Sequence, residues 1–198
     1  MAKNTVRAYD DALCRVMVIE DRPAWAPHPR SRSRIRSSAE RHFVDPSLAV
    51  AALRATPERL LEDLNLLGFL FESLVIRDLR VHARASDAQV LRYQDNTGLE
   101  VDAVVETADG RWAAFEIELD AAAVEEGAGN LRRCAQRVDA KKSGRPQLWG
   151  GVTGTGLAYR RPDGIGSPSQ SCQPPSTSRP RGPHALWKRP QPSGLSSE

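Results

Sequence analysis

Four carboxylates, Glu100, Asp102, Glu116 and Glu118, are the side chains of this sequence whose spacing most readily supports chemistry. Leu99, Val101, Ala103 and Val105 alternate with Glu100, Asp102, Val104 and Glu106. Ala113, Phe115, Ile117 and Leu119 alternate with Trp112, Ala114, Glu116 and Glu118. Period-two alternation on both sides of Ala108-Asp109-Gly110 predicts a β-hairpin. If Thr107 faces Arg111, Asp102 falls opposite Glu116 and Glu100 opposite Glu118, while Val101 meets Ile117 and Ala103 meets Phe115. The alignment that builds an apolar face thus stacks four carboxylates on the other. Like charges directly across a ladder repel. Solvent can screen them, a basic partner can neutralise them, or a divalent cation can sit among them; oxygen-only ligands suit magnesium or manganese. A loop one residue shorter would remove the Asp102–Glu116 opposition.

The elements that must carry this hairpin are legible in outline. Val6, Tyr9, Leu13, Val16 and Met17 predict a helix over Thr5 to Ile19, capped by Asn4 or Thr5, with Asp10 awkwardly near its apolar side. His42-Phe43-Val44 reads as a short extended segment. Asp45-Pro46 and Thr56-Pro57-Glu58 each open a helix with a capping side chain and a first-turn proline. Leu60, Leu61, Leu64, Leu67, Phe71, Leu74, Val75 and Leu79 follow the helical period, and Gly68 marks a break between two helices. Val90 to Tyr93 is a strand ending in the turn Asp95-Asn96-Thr97-Gly98. Val124 to Val138 is helical, weakened by Gly127 and Gly129. Gln147 to Thr153 is a last strand in which Trp149-Gly150-Gly151 makes a poor core. From residue 57 the order is helix, three strands, helix, strand, an α/β arrangement.

Composition bounds the rest. With 198 residues, 28 Lys+Arg and 25 Asp+Glu, the chain fits one ordinary domain with appendages. No apolar run approaches the ~18 residues of a membrane span, so no membrane partner is expected. Met-Ala-Lys-Asn-Thr-Val-Arg lacks a secretory apolar stretch, and Cys14, Cys134 and Cys172 match no disulfide or zinc pattern, which points to the cytoplasm. Residues 162–198 hold eight of the 14 prolines and are expected to be a disordered basic tail. Arg30, Arg32, Arg34, Arg36 and Arg41 follow Pro23, Pro27 and Pro29. Residues 23–41 therefore read as a basic linker, either solvated or contacting phosphates or an acidic partner. His28, His42, His82 and His184 show no metal-ligand spacing. Trp25, Trp112, Trp149 and Trp187 are too dispersed for a base-stacking platform and are assigned to packing. Gly150 to Gly156 is followed by Leu157, not Lys, and opens no helix. It is a turn between strands, not a Walker A loop, so neither ATP binding nor ATP hydrolysis is expected.

Thr-Val-Arg-Ala-Tyr, His-Phe-Val-Asp-Pro-Ser-Leu-Ala, Gly-Phe-Leu-Phe-Glu-Ser-Leu-Val, Asp-Asn-Thr-Gly-Leu-Glu-Val-Asp and Ala-Phe-Glu-Ile occur in this order between about residues 4 and 164. Together they resemble the carboxy-terminal domain of unknown function 4143 of prokaryotic AAA+ ATPases. The resemblance implies a restriction-endonuclease-like core of the PD-(D/E)xK superfamily over 42–161. It also implies a winged-helix remnant over 1–22. By position, Glu72, Asp102 and Glu116 match the acids that bind Mg2+ or Mn2+. Asp102, Glu116 and Glu118 fall in the catalytic slots, with Glu118 where active members carry lysine. A glutamate there changes the site by two charge units and removes a donor. The Pro/Ser/Arg-rich remainder resembles out-of-frame translation, as in a truncated copy. The resemblance thus implies a detached, non-catalytic nuclease-like domain with DNA, an AAA+ ATPase domain or a homologous chain as partner. A magnesium-dependent DNA endonuclease and a protein-interaction module docking on an ATPase are the alternatives.

Overall fold

The computed structural model describes residues 3–27, 40–155 and 159–165. Arg30, Arg32, Arg34 and Arg36 and nearly all of the predicted tail lie outside them. Among the described residues the chain is a mixed α/β structure of six helices and two sheets, one of them four-stranded. No described helix is long and apolar enough to cross a membrane.

Helix α1 spans Lys3–Arg15, beginning before the expected caps and stopping short of Ile19. Met17 takes a positive φ of 56°, and the chain turns into strand β1, Ile19–Arg22. Asp10, which looked misplaced, pairs with Arg41 at 2.7 Å. β1 is antiparallel to β2, Glu40–Phe43, from Ile19↔Phe43 to Arg22↔Glu40. Residues 23–27 are not a solvated linker. Ala24 bridges Arg92, and Trp25 is 1 % exposed, with ring centroids 4.6 Å from Trp112 and 6.0 Å from Tyr93. Three aromatic rings in contact bury far more apolar surface than a proline-rich segment normally can.

Helix α2, Pro46–Leu53, is capped by Asp45, whose carboxylate accepts from the Ser47 N–H at 2.9 Å. Helix α3, Pro57–Glu62, gives way at Asp63 to α4, Leu64–Arg84, which Asp63 caps through the Leu66 N–H. The break therefore falls at Asp63, and α4 runs unbroken through Gly68. Its continuity comes from packing, because Leu70, Ser73, Ile76, Leu79 and Ala83 form one buried stripe.

Strands β3 (Ala88–Gln94), β4 (Glu100–Thr107), β5 (Trp112–Glu118) and β6 (Leu148–Thr153) form the main sheet in that order. Helix α5, Val124–Arg137, crosses over between β5 and β6, which are parallel, and the four-residue α6, Ala140–Ser143, follows it. One face of the sheet packs Val90, Ala103, Val105, Phe115 and Ile117 against Ile76 and Leu79 of α4. The other packs Leu91, Val104, Trp112 and Ala114 against Ala128, Leu131 and Cys134 of α5. Gly150 and Gly151 do not interrupt β6 and do not form a turn; they pair with Phe115 and Glu116. The finished β5 edge supplies the partner that two glycines cannot specify alone. Arg161 pairs with Glu125, and Ile165 is 2 % exposed, so the packed chain continues beyond residue 162.

Candidate functional site

The β4–β5 hairpin has the alignment expected from its loop. Glu106 pairs with Trp112, Val105 with Ala113, Val104 with Ala114 and Ala103 with Phe115. Gly110, at φ 80°, takes the left-handed position of the turn, a backbone conformation that residues with a Cβ rarely adopt. The Asp109 carboxylate accepts from the side chains of Thr107 and Arg111.

The ladder ends at Ala103↔Phe115, and the reason lies on the other side of β4. Leu91 pairs with Val104 but Tyr93 with Val101, so Asp102 and Ala103 together oppose Arg92. This bulge turns the strand and re-aims its side chains. Val101 joins the cluster on the α5 face while Ile117 stays on the α4 face, so the expected Val101–Ile117 pairing does not form. Glu100 also leaves the expected stack. It pairs with Gln94, and its carboxylate lies 3.4 Å from Arg92 and accepts from the Gln94 side chain at 3.2 Å.

Asp102 moves into the opening so created. Its Oδ2 accepts the Ile117 N–H at 2.7 Å, a donor that would otherwise continue the ladder. Its carboxyl is also hydrogen-bonded to that of Glu116. Glu116 is 4 % exposed; burial, the charge of Asp102 and the shared bond push it up to about 10, so the pair holds a proton at neutral pH. Burial likewise raises Asp102, against the Ile117 and Glu116 hydrogen bonds that favour its charge. Glu72, on α4, is raised to about 7 by burial and by Asp102. Burial raises Glu118 too, with Asp102 and Glu126 adding repulsion. The structure thus brings Glu72, Asp102, Glu116 and Glu118 into one electrostatic neighbourhood and leaves Glu100 at its β3 margin.

Three residues that sequence reasoning missed complete it. Arg22 of β1, 1 % exposed, donates to the Asp102 carbonyl and to Glu40, and lies 3.4 Å from Glu72. Burial opposes the charge of Glu40, yet the His42 ring and the Arg22 guanidinium bring its carboxyl down to about 2. His42, 6 % exposed, completes the group. The only sequence signal was the alternate spacing of Glu40 and His42, which puts both on one side of a strand.

Helix α5 closes the pocket around Glu116, and Gly127 permits it. A Cβ at residue 127 would lie 3.1 Å from the Glu116 Cβ and 3.3 Å from its Cγ, whereas one at Gly129 would meet nothing within 4 Å. Gly127→Ala is expected to lower stability by about 1–3 kcal/mol through overpacking. Gly129→Ala should hold or raise it by up to about 1 kcal/mol through helix propensity. Urea denaturation of the two variants side by side checks the pair; equal responses would contradict the close approach.

Residues 67–151 match a domain of unknown function, DUF4143, and residues 1–59 match a second domain of unknown function, DUF8612. No curated protein and no solved structure matches the chain. Glu72, Asp102, Glu116 and Glu118 all lie within the DUF4143 match, and the strands that bring Arg22, Glu40 and His42 to them lie within the DUF8612 match.

Proposed function

We propose that this chain is a non-hydrolytic, nuclease-like domain of the kind that accompanies AAA+ ATPases, with nucleic-acid binding as its retained role. The observation that carries the reading is the Asp102–Glu116 carboxyl pair beside Glu72, with the Arg22 guanidinium inserted among the acids. Three acids from one helix and two adjoining strands support kinship with metal-dependent phosphodiesterases. Their neutralisation by a proton and a fixed arginine supports loss of turnover.

The donor set fits a divalent cation, because Glu116 Oε1 is buried without a hydrogen-bond partner. Glu72, Asp102 and Glu116 would hold Mg2+ or Mn2+, which would supply Lewis-acid polarisation of a phosphoryl oxygen and a more acidic water. The residues around it work against that chemistry. Arg22 already occupies the negative potential of Glu40 and Glu72. Glu118 offers no ammonium donor for developing charge, and its carboxylate repels a phosphodiester.

Incubated with supercoiled plasmid and millimolar Mg2+ or Mn2+, the protein is expected to leave the plasmid intact. Nicking that disappears in Asp102→Asn would replace this reading with that of an active endonuclease. Retention of duplex DNA should weaken as salt rises. Retention independent of salt, or no retention at all, would remove nucleic acid as the ligand.

A further inference from the structure

A second ligand set lies beside the carboxyl pair and shares only Glu72 with it. Glu40 and His42 are alternate residues of β2, and Glu72 reaches them from α4. One ligand atom from each lies within 4.8 Å of the other two. The imidazole is the informative member. His42 Nδ1 is 3.3 Å from the Ser73 hydroxyl, which leaves Nε2 buried and without a hydrogen-bond partner. Nε2 faces Glu40 Oε2 at 3.7 Å, beyond hydrogen-bonding reach. Ser73 holds the ring through Nδ1, which leaves Nε2 pointing at the two carboxylates with no hydrogen bond of its own. A histidine fixed through one nitrogen and bare at the other is the usual state of a metal ligand.

We propose that Glu40, His42 and Glu72 bind one divalent transition-metal ion of the zinc class, with a fourth position open to solvent or ligand. The nitrogen donor separates this site from the all-oxygen carboxyl pair, since imidazole favours zinc over magnesium or calcium. Tetrahedral bonds of about 2.0–2.2 Å put ligand atoms roughly 3.4 Å apart, so side-chain rotation of about an ångström closes the set. Arg22 holds Glu40 Oε2 and lies 3.4 Å from Glu72, so the ion takes Glu40 Oε1 and shares the two carboxylates with the guanidinium. The site joins the β1–β2 hairpin to α4, and it does not rest on the nuclease reading.

Calorimetric titration of zinc chloride into the EDTA-treated full chain, carrying Cys14→Ser and Cys172→Ser, tests the proposal. One equivalent should bind and raise the melting temperature. His42→Gln and Glu40→Gln should each weaken binding at least tenfold, and Ser73→Ala by about tenfold through the lost orienting bond. Asp102→Asn should leave zinc affinity within a factor of two or three. Circular dichroism of each variant shows that it is folded, and two independent ligand removals keep the test valid if one is not. Absence of saturable binding overturns the proposal. So does unchanged affinity in His42→Gln, or a loss confined to Asp102→Asn, which would move the ion to the carboxyl pair.

Discussion

Arg22→Met is expected to lower stability by about 3–5 kcal/mol, the range for removing one partner of a buried ionic group. The guanidinium is 1 % exposed, donates to the Asp102 carbonyl and to Glu40, and lies 3.4 Å from Glu72. Methionine fills similar volume but leaves those acids without their counter-charge. The loss should shrink when Glu40→Gln is added, because the uncompensated carboxylate is then gone. Urea denaturation of wild type, both single variants and the double variant gives the coupling directly. Additive effects would show that Arg22 contributes through packing alone.

Glu116→Gln is expected to do the opposite and raise stability near pH 7.5, by an amount of order 2–4 kcal/mol. Glu116 titrates at about 10 in the folded protein, against an ordinary value of 4.5. The folded state therefore holds an extra proton between those two values. Its stabilising contribution is complete below pH 4.5 and is lost as pH rises towards 10, by about 1.4 kcal/mol per pH unit. Glutamine keeps a donor towards Asp102 and removes this dependence, so the gain should be near zero at pH 4.5 and grow with pH. Glu40 slopes the other way: lowered to about 2, it contributes above pH 4.5 and is lost as pH falls through 2. Glu72, raised to about 7, adds to the alkaline decline. Wild type should accordingly melt highest near pH 5. Thermal melts from pH 3 to 9 check both statements; a wild-type maximum above pH 7 would contradict the protonated state of Glu116. Relief of this kind marks a residue kept for something other than stability.

The hairpin was legible because its alignment is fixed locally, by Ala108-Asp109-Gly110 and by strict alternation on either side. The helix caps at Asp45 and Thr56 are equally local, since each bonds within three residues of itself. What the sequence hid is long-range. The bulge at Asp102-Ala103 depends on how β3 pairs, and an alternation pattern read on β4 alone places Val101 on the wrong face. Gly68 and Gly150-Gly151 looked like breaks because their propensities are poor, yet a buried stripe on α4 and the β5 edge override them. Arg22, Glu40 and His42 lie in short strands of charged residues with no apolar period. Nothing in their neighbourhood announces that they meet Glu72 across the fold.

Trp25 and Arg22 enter the sheet's two sides from a single stretch of β1 and the residues just after it. One fills the aromatic contact with Trp112 and Tyr93, and the other answers the acids. The two matched regions are thus not interchangeable cassettes. A recombination event that swapped the amino-terminal piece for an unrelated one would leave the remainder with a greasy groove and surplus negative charge at once. Descent of this architecture requires the pieces to travel together.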